Sequence, residues 1–204
     1  MTAPESLASD RPEVATEAFA ARLESVIGAY VRARDSNRPH LMKAAFTDAA
    51  VLQIRVEPGA SNVHSRLAGR KAIVDTLVTR FNQAWENIYT LCIGARPAAD
   101  AEAFSCAWLV VMSSKSDGSC RIGWGRYDWT FDLESRRARS LVIVVSAMKV
   151  VTADVGSLMD WVCLLPYPWC DAAEIVATPP PGAHARAILE HLEAAGTHAL
   201  EQGS

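Results

Sequence analysis

The chain has 204 residues, half of them apolar, and a formal net charge of −3. That length can bury one sizeable hydrophobic core, so we expect one folded domain with an extension. The weakly acidic balance, without a long basic cluster, argues against a nucleic-acid partner.

Targeting and redox signals are weak. Residues 1–10 lack the basic and apolar regions of a signal peptide. Lys149, Asp154 and Asp160 interrupt the apolar run 141–169, and a membrane span needs roughly 18 uncharged residues, so we expect no membrane partner. The five cysteines form no C-x-x-C pair, and their odd number fits free thiols in a reducing compartment. We therefore expect a cytoplasmic protein.

The hydrophobic pattern predicts helices first and strands later. The order is a helix, a short second helix, a strand, a third helix, and then four sequential strands. The predicted units are a flexible N-terminal arm (1–12), a main domain (13–150) and a partly helical C-terminal extension (151–204). Within them, the predicted elements are helices over 14–35, 70–85, 153–165 and 184–201, a short helix after Pro39, and strands over 50–56, 88–94 and 140–150.

A hairpin lies at the centre of the predicted sheet. Asp117 and Gly118 separate two alternating runs, and this dipeptide favours a two-residue type I′ turn. Such a turn pairs Phe104 with Phe131, Cys106 with Trp129, and Trp108 with Tyr127. These aromatic side chains would share one face. The opposite face carries Trp124, Arg126 and Asp128 among small residues, which is typical of a pocket wall or polar rim.

Three segments resemble the nuclear transport factor 2-like superfamily, in its SnoaL-like and ketosteroid-isomerase-like branch. They are AYVRARDSNRPHLMKAAFTDAAVL, LAGRKAIVDTLVTRF and GRYDWTF. The resemblance covers roughly residues 15 to 150 and implies an α+β, cystatin-like cone. In that fold, helices pack on a strongly bent antiparallel sheet around an apolar pocket. The resemblance also implies a homodimer formed through the sheet.

The same resemblance directs attention to a few polar side chains. Tyr30 falls where a ketosteroid isomerase keeps its oxyanion-hole tyrosine, but the position of its base falls on Ile54, which cannot accept a proton. Tyr30, His64 and Asp128 would supply a dehydratase-like cluster if His64 points inward. Simpler interpretations are a packed Tyr30, an exposed His64 and an ion pair of Asp128 with Arg126. We predict three ligand-lining side chains: Trp85, Trp124 and Arg126.

Two functional hypotheses follow. The chain is a cofactor-independent lyase or isomerase that acts on a small apolar molecule, or it is a non-catalytic binding or dimer-assembly module. No cofactor motif is found. His184, His191 and His198 recur every seven residues, which separates neighbours by about 10.5 Å along a helix, too far to share one metal ion. We therefore expect no metal site.

Overall fold

A computed structural model describes residues 11–57, 65–151 and 155–201. The helices are α1 (Arg11–Asp35), α2 (Met42–Ala45), α3 (Arg70–Val74), α4 (Phe81–Ala84), α5 (Val155–Cys163), α6 (Ala172–Ala177) and α7 (Ala185–Glu201). A 3-10 turn (Pro39–Leu41) precedes α2, and a π-helical segment (Asp75–Arg80) joins α3 to α4. The strands are β1 (Phe46–Val56), β2 (Ser65–Ala68), β3 (Trp85–Ile93), β4 (Ala103–Ser114), β5 (Cys120–Phe131), β6 (Ala138–Val151) and β7 (Trp169–Cys170).

The predicted order of elements is confirmed, and most boundaries lie within four residues of the prediction. The helix α1 begins at Arg11, inside the segment expected to be a flexible arm, and residues 1–10 lie outside the described residues. The predicted third helix is continuous from Arg70 to Ala84, but its middle turns are π-helical. Such π segments are uncommon and are found mostly as short bulges within α-helices.

Seven strands form a single sheet in the order β2-β1-β6-β5-β4-β3-β7. The chain crosses from one side of the sheet to the other between β1 and β3, so the first strand pairs with the sixth. The pairs β1–β6 and β3–β7 are parallel, and the other neighbours are antiparallel. The predicted fold class is confirmed, but the sheet is mixed rather than purely antiparallel.

The central hairpin has a different register from the predicted one. Phe104 pairs with Trp129 rather than Phe131, and Cys106 pairs with Tyr127. The prediction of a two-residue turn was wrong. The loop instead has four residues, 115–118, and is closed by a hydrogen bond from the Ser114 N–H to the Ser119 carbonyl. Gly118 still supplies the positive φ, at 69°. The register error of two residues keeps every side chain on its predicted face, since the period of a strand is two.

The two faces of the sheet carry separate hydrophobic cores. On the inner face, α1, α2 and the helical stretch from α3 to α4 pack against β4, β5 and β6. The largest fully buried side chains of this inner core are aromatic: Tyr30, Phe46, Tyr127, Trp129 and Phe131. Their rings touch edge-to-face and stacked, with centroids 5.3 to 6.2 Å apart. The helices and the bent sheet therefore enclose an aromatic centre.

On the outer face, the C-terminal extension covers the sheet of its own chain. Leu158, Trp161 and Val162 of α5, Ile175 of α6, and Ile188 and Leu192 of α7 are buried together with the outward residues of β3, β4 and β5. Trp124 is one of these covered residues and is only 6 % exposed. This part of the outer face was expected to be a pocket wall or a polar rim, and it is instead covered by the extension as part of a second core.

Candidate functional site

The inward-facing polar groups gather where the last turn of α1 meets β3. We call Arg34, Asp35 and Thr90 the polar end of the cone. The Arg34 side chain is buried, donates a hydrogen bond from Nη1 to Thr90 Oγ1 (3.0 Å), and lies over the Phe81 ring at 4.3 Å. The Asn82 side chain donates to the Arg34 carbonyl (2.7 Å), which fixes the end of the helix against α4. These contacts hold the charged guanidinium group of Arg34 inside the fold.

The Asp35 carboxylate accepts two hydrogen bonds from Thr90. Its Oδ2 accepts the Thr90 backbone N–H at 2.7 Å, and its Oδ1 accepts the Thr90 hydroxyl at 2.9 Å. A third hydrogen bond comes from the C-terminal extension, since the Tyr167 hydroxyl donates to Oδ2 at 3.3 Å. The Tyr167 side chain is 40 % exposed, so it stands between the carboxylate and solvent.

Burial raises the pKa of the Asp35 carboxyl from its ordinary 3.8 to about 6. The Arg34 charge and the hydrogen bonds from Thr90 and Tyr167 act in the opposite direction, but they do not compensate for the lost hydration. By contrast, hydrogen bonds from Ser119 and Ser135 lower the pKa of Asp117 and Asp132. Asp35 can therefore exchange its proton near neutral pH.

Two tyrosines lie deeper in the aromatic centre. Burial raises the pKa of Tyr30 and of Tyr127, so both phenols stay protonated and remain hydrogen-bond donors. The fully buried Tyr30 hydroxyl interacts with that of Tyr127 but makes no hydrogen bond of normal geometry with a described residue. The indole Nε1 of Trp129 is also buried without such a partner. Buried donors of this kind are rare in folded proteins and call for an explanation.

Of the predicted catalytic residues, Tyr30 and Asp128 lie on opposite faces of the sheet. Tyr30 lies in the inner core as its position in α1 requires. Asp128 projects from the outer face, because it alternates with the inward Tyr127 and Trp129. There it accepts two hydrogen bonds from Arg126, at 2.7 and 3.1 Å, and one from Ser105 at 2.8 Å. His64 lies outside the described residues, so its orientation stays a prediction.

The predicted ligand-lining residues also occupy three different places. Trp85, at the start of β3, packs against Phe81 and lies under the Arg121 guanidinium. Trp124 is covered by the extension, as described above. Arg126 is half exposed on the outer face, in the ion pair with Asp128. A shared pocket for the three is therefore not formed, since two of them lie on the opposite face of the sheet from the aromatic centre.

Sequence reasoning missed the polar end altogether. Asp35 was interpreted only as the end of a helix, and Tyr167 was not among the candidate residues. One signal was present in the sequence: Arg34 and Asp35 continue the face of Tyr30 and Val31 around an otherwise apolar stripe. Charged residues next to such a stripe are candidates for buried polar groups.

Two further properties concern the described part of the chain. No cluster of His, Cys, Asp or Glu side chains there could hold a metal ion. No helix there is long and apolar enough to cross a membrane.

Comparison with solved structures places the fold. No family model and no curated protein matches the chain. A nuclear transport factor 2-like superfamily protein from Salmonella enterica serovar Typhimurium has a TM-score of 0.50 at 16% identity, over 68% of this chain and 98% of that chain. The beta subunit of a candidate aromatic-ring-hydroxylating dioxygenase from Novosphingobium aromaticivorans has a TM-score of 0.48 at 18% identity, over 71% and 97%. An epoxide hydrolase from M. tuberculosis has a TM-score of 0.46 at 15% identity, over 62% and 84%.

The likeness to the Salmonella protein defines the architecture. The chain has the nuclear transport factor 2-like fold, and the resemblance drawn from its sequence is confirmed at that level. Identities this low establish the fold and leave the function open, because one fold serves many activities.

Proposed function

We propose that the chain binds a small, mainly apolar molecule at the polar end of the cone and moves a proton with Asp35. The reaction would be that of a cofactor-independent lyase or isomerase. The observation that carries the proposal is the position of the Asp35 carboxyl, which is hydrogen-bonded to Thr90 and Tyr167 at the end of α1 and whose pKa is raised by burial to about 6. A base of this strength is well matched to proton transfer near neutral pH, and perturbed carboxyls of this kind cluster at functional sites.

The neighbouring groups have complementary roles in this proposal. The protonated phenols of Tyr30 and Tyr127 can donate hydrogen bonds to an oxygen that gains negative charge during the reaction. The buried Arg34 favours the same charge. Tyr167 would act as a gate, because its hydroxyl has to leave Oδ2 before a substrate proton can approach, and its side chain is partly exposed.

Proton exchange tests this role without knowledge of the true substrate. Cyclic ketones incubated with the protein in D2O report abstraction of the proton next to the carbonyl by loss of the ¹H signal. We expect exchange above the buffer rate, loss of it in Asp35→Asn, and a decrease of roughly a hundredfold in Tyr30→Phe, as for removal of one oxyanion donor. The matched control is Asp100→Asn, which neutralises an exposed carboxyl.

The same assay tests Asp128, one of the catalytic residues predicted from the sequence. If Asp128→Asn abolishes exchange and Asp35→Asn does not, the base is Asp128 and the proposal for Asp35 is refuted. Exchange at the buffer rate for all variants, over a panel of ketones of different size, would refute catalysis of this type altogether.

A second candidate function is the non-catalytic binding or dimer-assembly module. It is favoured by the three hydrogen bonds that already engage the Asp35 carboxylate and by the ring contacts that fill the aromatic centre. Under this hypothesis Asp35 anchors the extension through Tyr167. A homodimer through the sheet would then use the part of the outer face around Arg126 and Asp128, which the C-terminal helices leave exposed. Tyr167→Phe would lower stability by about 1 kcal/mol and leave no activity to lose.

A further inference from the structure

A cleft lies away from Asp35, where the loop between β5 and β6 faces α1 and α2. Its volume is about 590 Å³, and it is open to solvent. Four of its lining side chains are basic, namely Lys43, Arg70, Arg136 and Arg137, and one is acidic, Asp48. We call it the basic cleft.

The single acidic side chain of the cleft is already engaged. Asp48 forms an ion pair with Arg70, which also donates a hydrogen bond from Nη1 to the Phe46 carbonyl at 3.1 Å. Arg70 is thereby fixed at the junction of β1 and α3. Lys43 and Arg137 form no ion pair with an acidic side chain of the described residues. The cleft therefore has an excess of positive charge.

Hydrogen bonds fix the loop that carries Arg136 and Arg137 at the edge of the cleft. The Arg136 N–H donates to the Asp132 carbonyl, and the Asp132 N–H donates to the Arg137 carbonyl, both at 2.8 Å. Arg136 has a positive φ of 53°, and its Nη1 donates to the Ala99 carbonyl at 3.1 Å. The loop's own acid, Asp132, accepts the Ser135 N–H at 2.7 Å, and this bonding to Ser135 lowers its pKa. Asp132 therefore stabilises the turn, and Arg137 is left without an ion pair to an acidic side chain of the described residues.

We propose that the basic cleft binds a small organic anion that carries a phosphate group or several carboxylates. Guanidinium groups form paired hydrogen bonds with phosphate and carboxylate oxygens. The volume lies within the roughly 300 to 1,000 Å³ of small-molecule sites. The site is separate from Asp35, so the inference goes beyond the proposed function and does not depend on it.

Binding of two simple anions tests the proposal on the full chain. Inorganic pyrophosphate and citrate are titrated by calorimetry, and by ¹⁵N NMR to locate the site, with ionic strength held constant by sodium chloride. We expect saturable binding of at least one anion and shifts at the amides of residues 43, 48, 70 and 135–137. Arg137→Gln and Lys43→Gln should each weaken binding roughly tenfold, as for the loss of a charge-assisted hydrogen bond. Both side chains lie outside the cores, so the variants should fold.

The control is Arg139→Gln, which removes the same charge from the exposed neighbouring position outside the cleft. Unchanged binding in that variant supports a defined site. Equal weakening in Arg139→Gln and Arg137→Gln would mean non-specific attraction and would overturn the proposal. Absence of saturation with both anions, or competition by a short RNA that binds more tightly through the same residues, would overturn it as well.

Discussion

Ionisation of Asp35 should lower the free energy of unfolding as the pH rises. This direction is opposite to that produced by a carboxyl group whose pKa is lowered by folding. The Asp35 carboxyl has a pKa of about 6 in the folded chain against 3.8 ordinarily. A raised pKa means that the folded state binds the proton more tightly than the unfolded state. The stabilisation is therefore complete below the ordinary pKa and is lost as the pH rises through about 6.

The size of the effect follows from the same two values. One pKa unit corresponds to about 1.4 kcal/mol, so the full difference corresponds to about 3 kcal/mol. Asp35 keeps partial contact with water, which reduces the effect, and we expect about 2 kcal/mol between pH 4 and pH 7. The ionisable groups that interact with this carboxyl are Arg34, Tyr30, Tyr167 and Cys92, and each has a pKa raised above an ordinary value that already lies above this interval.

The assay is urea denaturation of the native chain and of Asp35→Asn at a series of pH values. All other groups contribute equally to both proteins, so the difference between their free energies of unfolding isolates Asp35. We expect this difference to fall by about 2 kcal/mol as the pH rises from 4 to 7, because the ionised form of Asp35 is the costly one. In Tyr167→Phe the midpoint of this change should move to higher pH, since the Tyr167 hydroxyl stabilises the carboxylate. A constant difference across this range, or an Asp35 pKa near 4 by ¹³C NMR, would refute the reasoning.

Two further predictions concern the sheet and its cover. At Gly125 an added Cβ would collide with the Val144 carbonyl and lie 2.9 Å from the Trp108 ring, whereas at Gly156 in α5 it would meet nothing within 4 Å. Gly125→Ala should therefore lower the free energy of unfolding by about 3 kcal/mol or more. Gly156→Ala should leave it unchanged or raise it by up to about 1 kcal/mol, so equal midpoints in urea would contradict this packing. A chain ending at residue 151 should expose the outer core and self-associate in light scattering, and a truncated chain that stays soluble and monomeric would show that the extension is not needed as a cover.

The hairpin shows how far local pattern carries a prediction. The alternation of β4 and β5 placed each aromatic residue on the correct face, because that depends only on the period of a strand. The loop length depended on contacts with a different part of the chain. The Lys115 N–H donates to the Ala84 carbonyl and its ammonium to the Asn82 carbonyl, so α4 fixes where β4 ends. No pattern within the hairpin reports these bonds.

The polar end of the cone could not be predicted from the sequence for a similar reason. Asp35 ends a helix and is followed by Ser36 and Asn37, which is ordinary turn chemistry. Its partners Thr90 and Tyr167 lie 55 and 132 residues further along the chain. Only the assembled fold brings these three groups together, and only their burial raises the pKa of the carboxyl.

The position of Tyr167 connects the outer core with the polar end. The outward residues of β3, β4 and β5 are apolar and need a cover, which α5, α6 and α7 supply. Between α5 and α6 the chain turns around the edge of the sheet, where β7 pairs with β3 and the Trp169 indole bonds to the Gly94 carbonyl at 2.7 Å. That turn carries Tyr167 onto Asp35 on the inner side. The Tyr167 hydroxyl therefore couples the packing of the extension on the outer face to the proton affinity of Asp35 on the inner side. A ligand that displaces Tyr167 has to change both the packing of the extension and the proton affinity of Asp35.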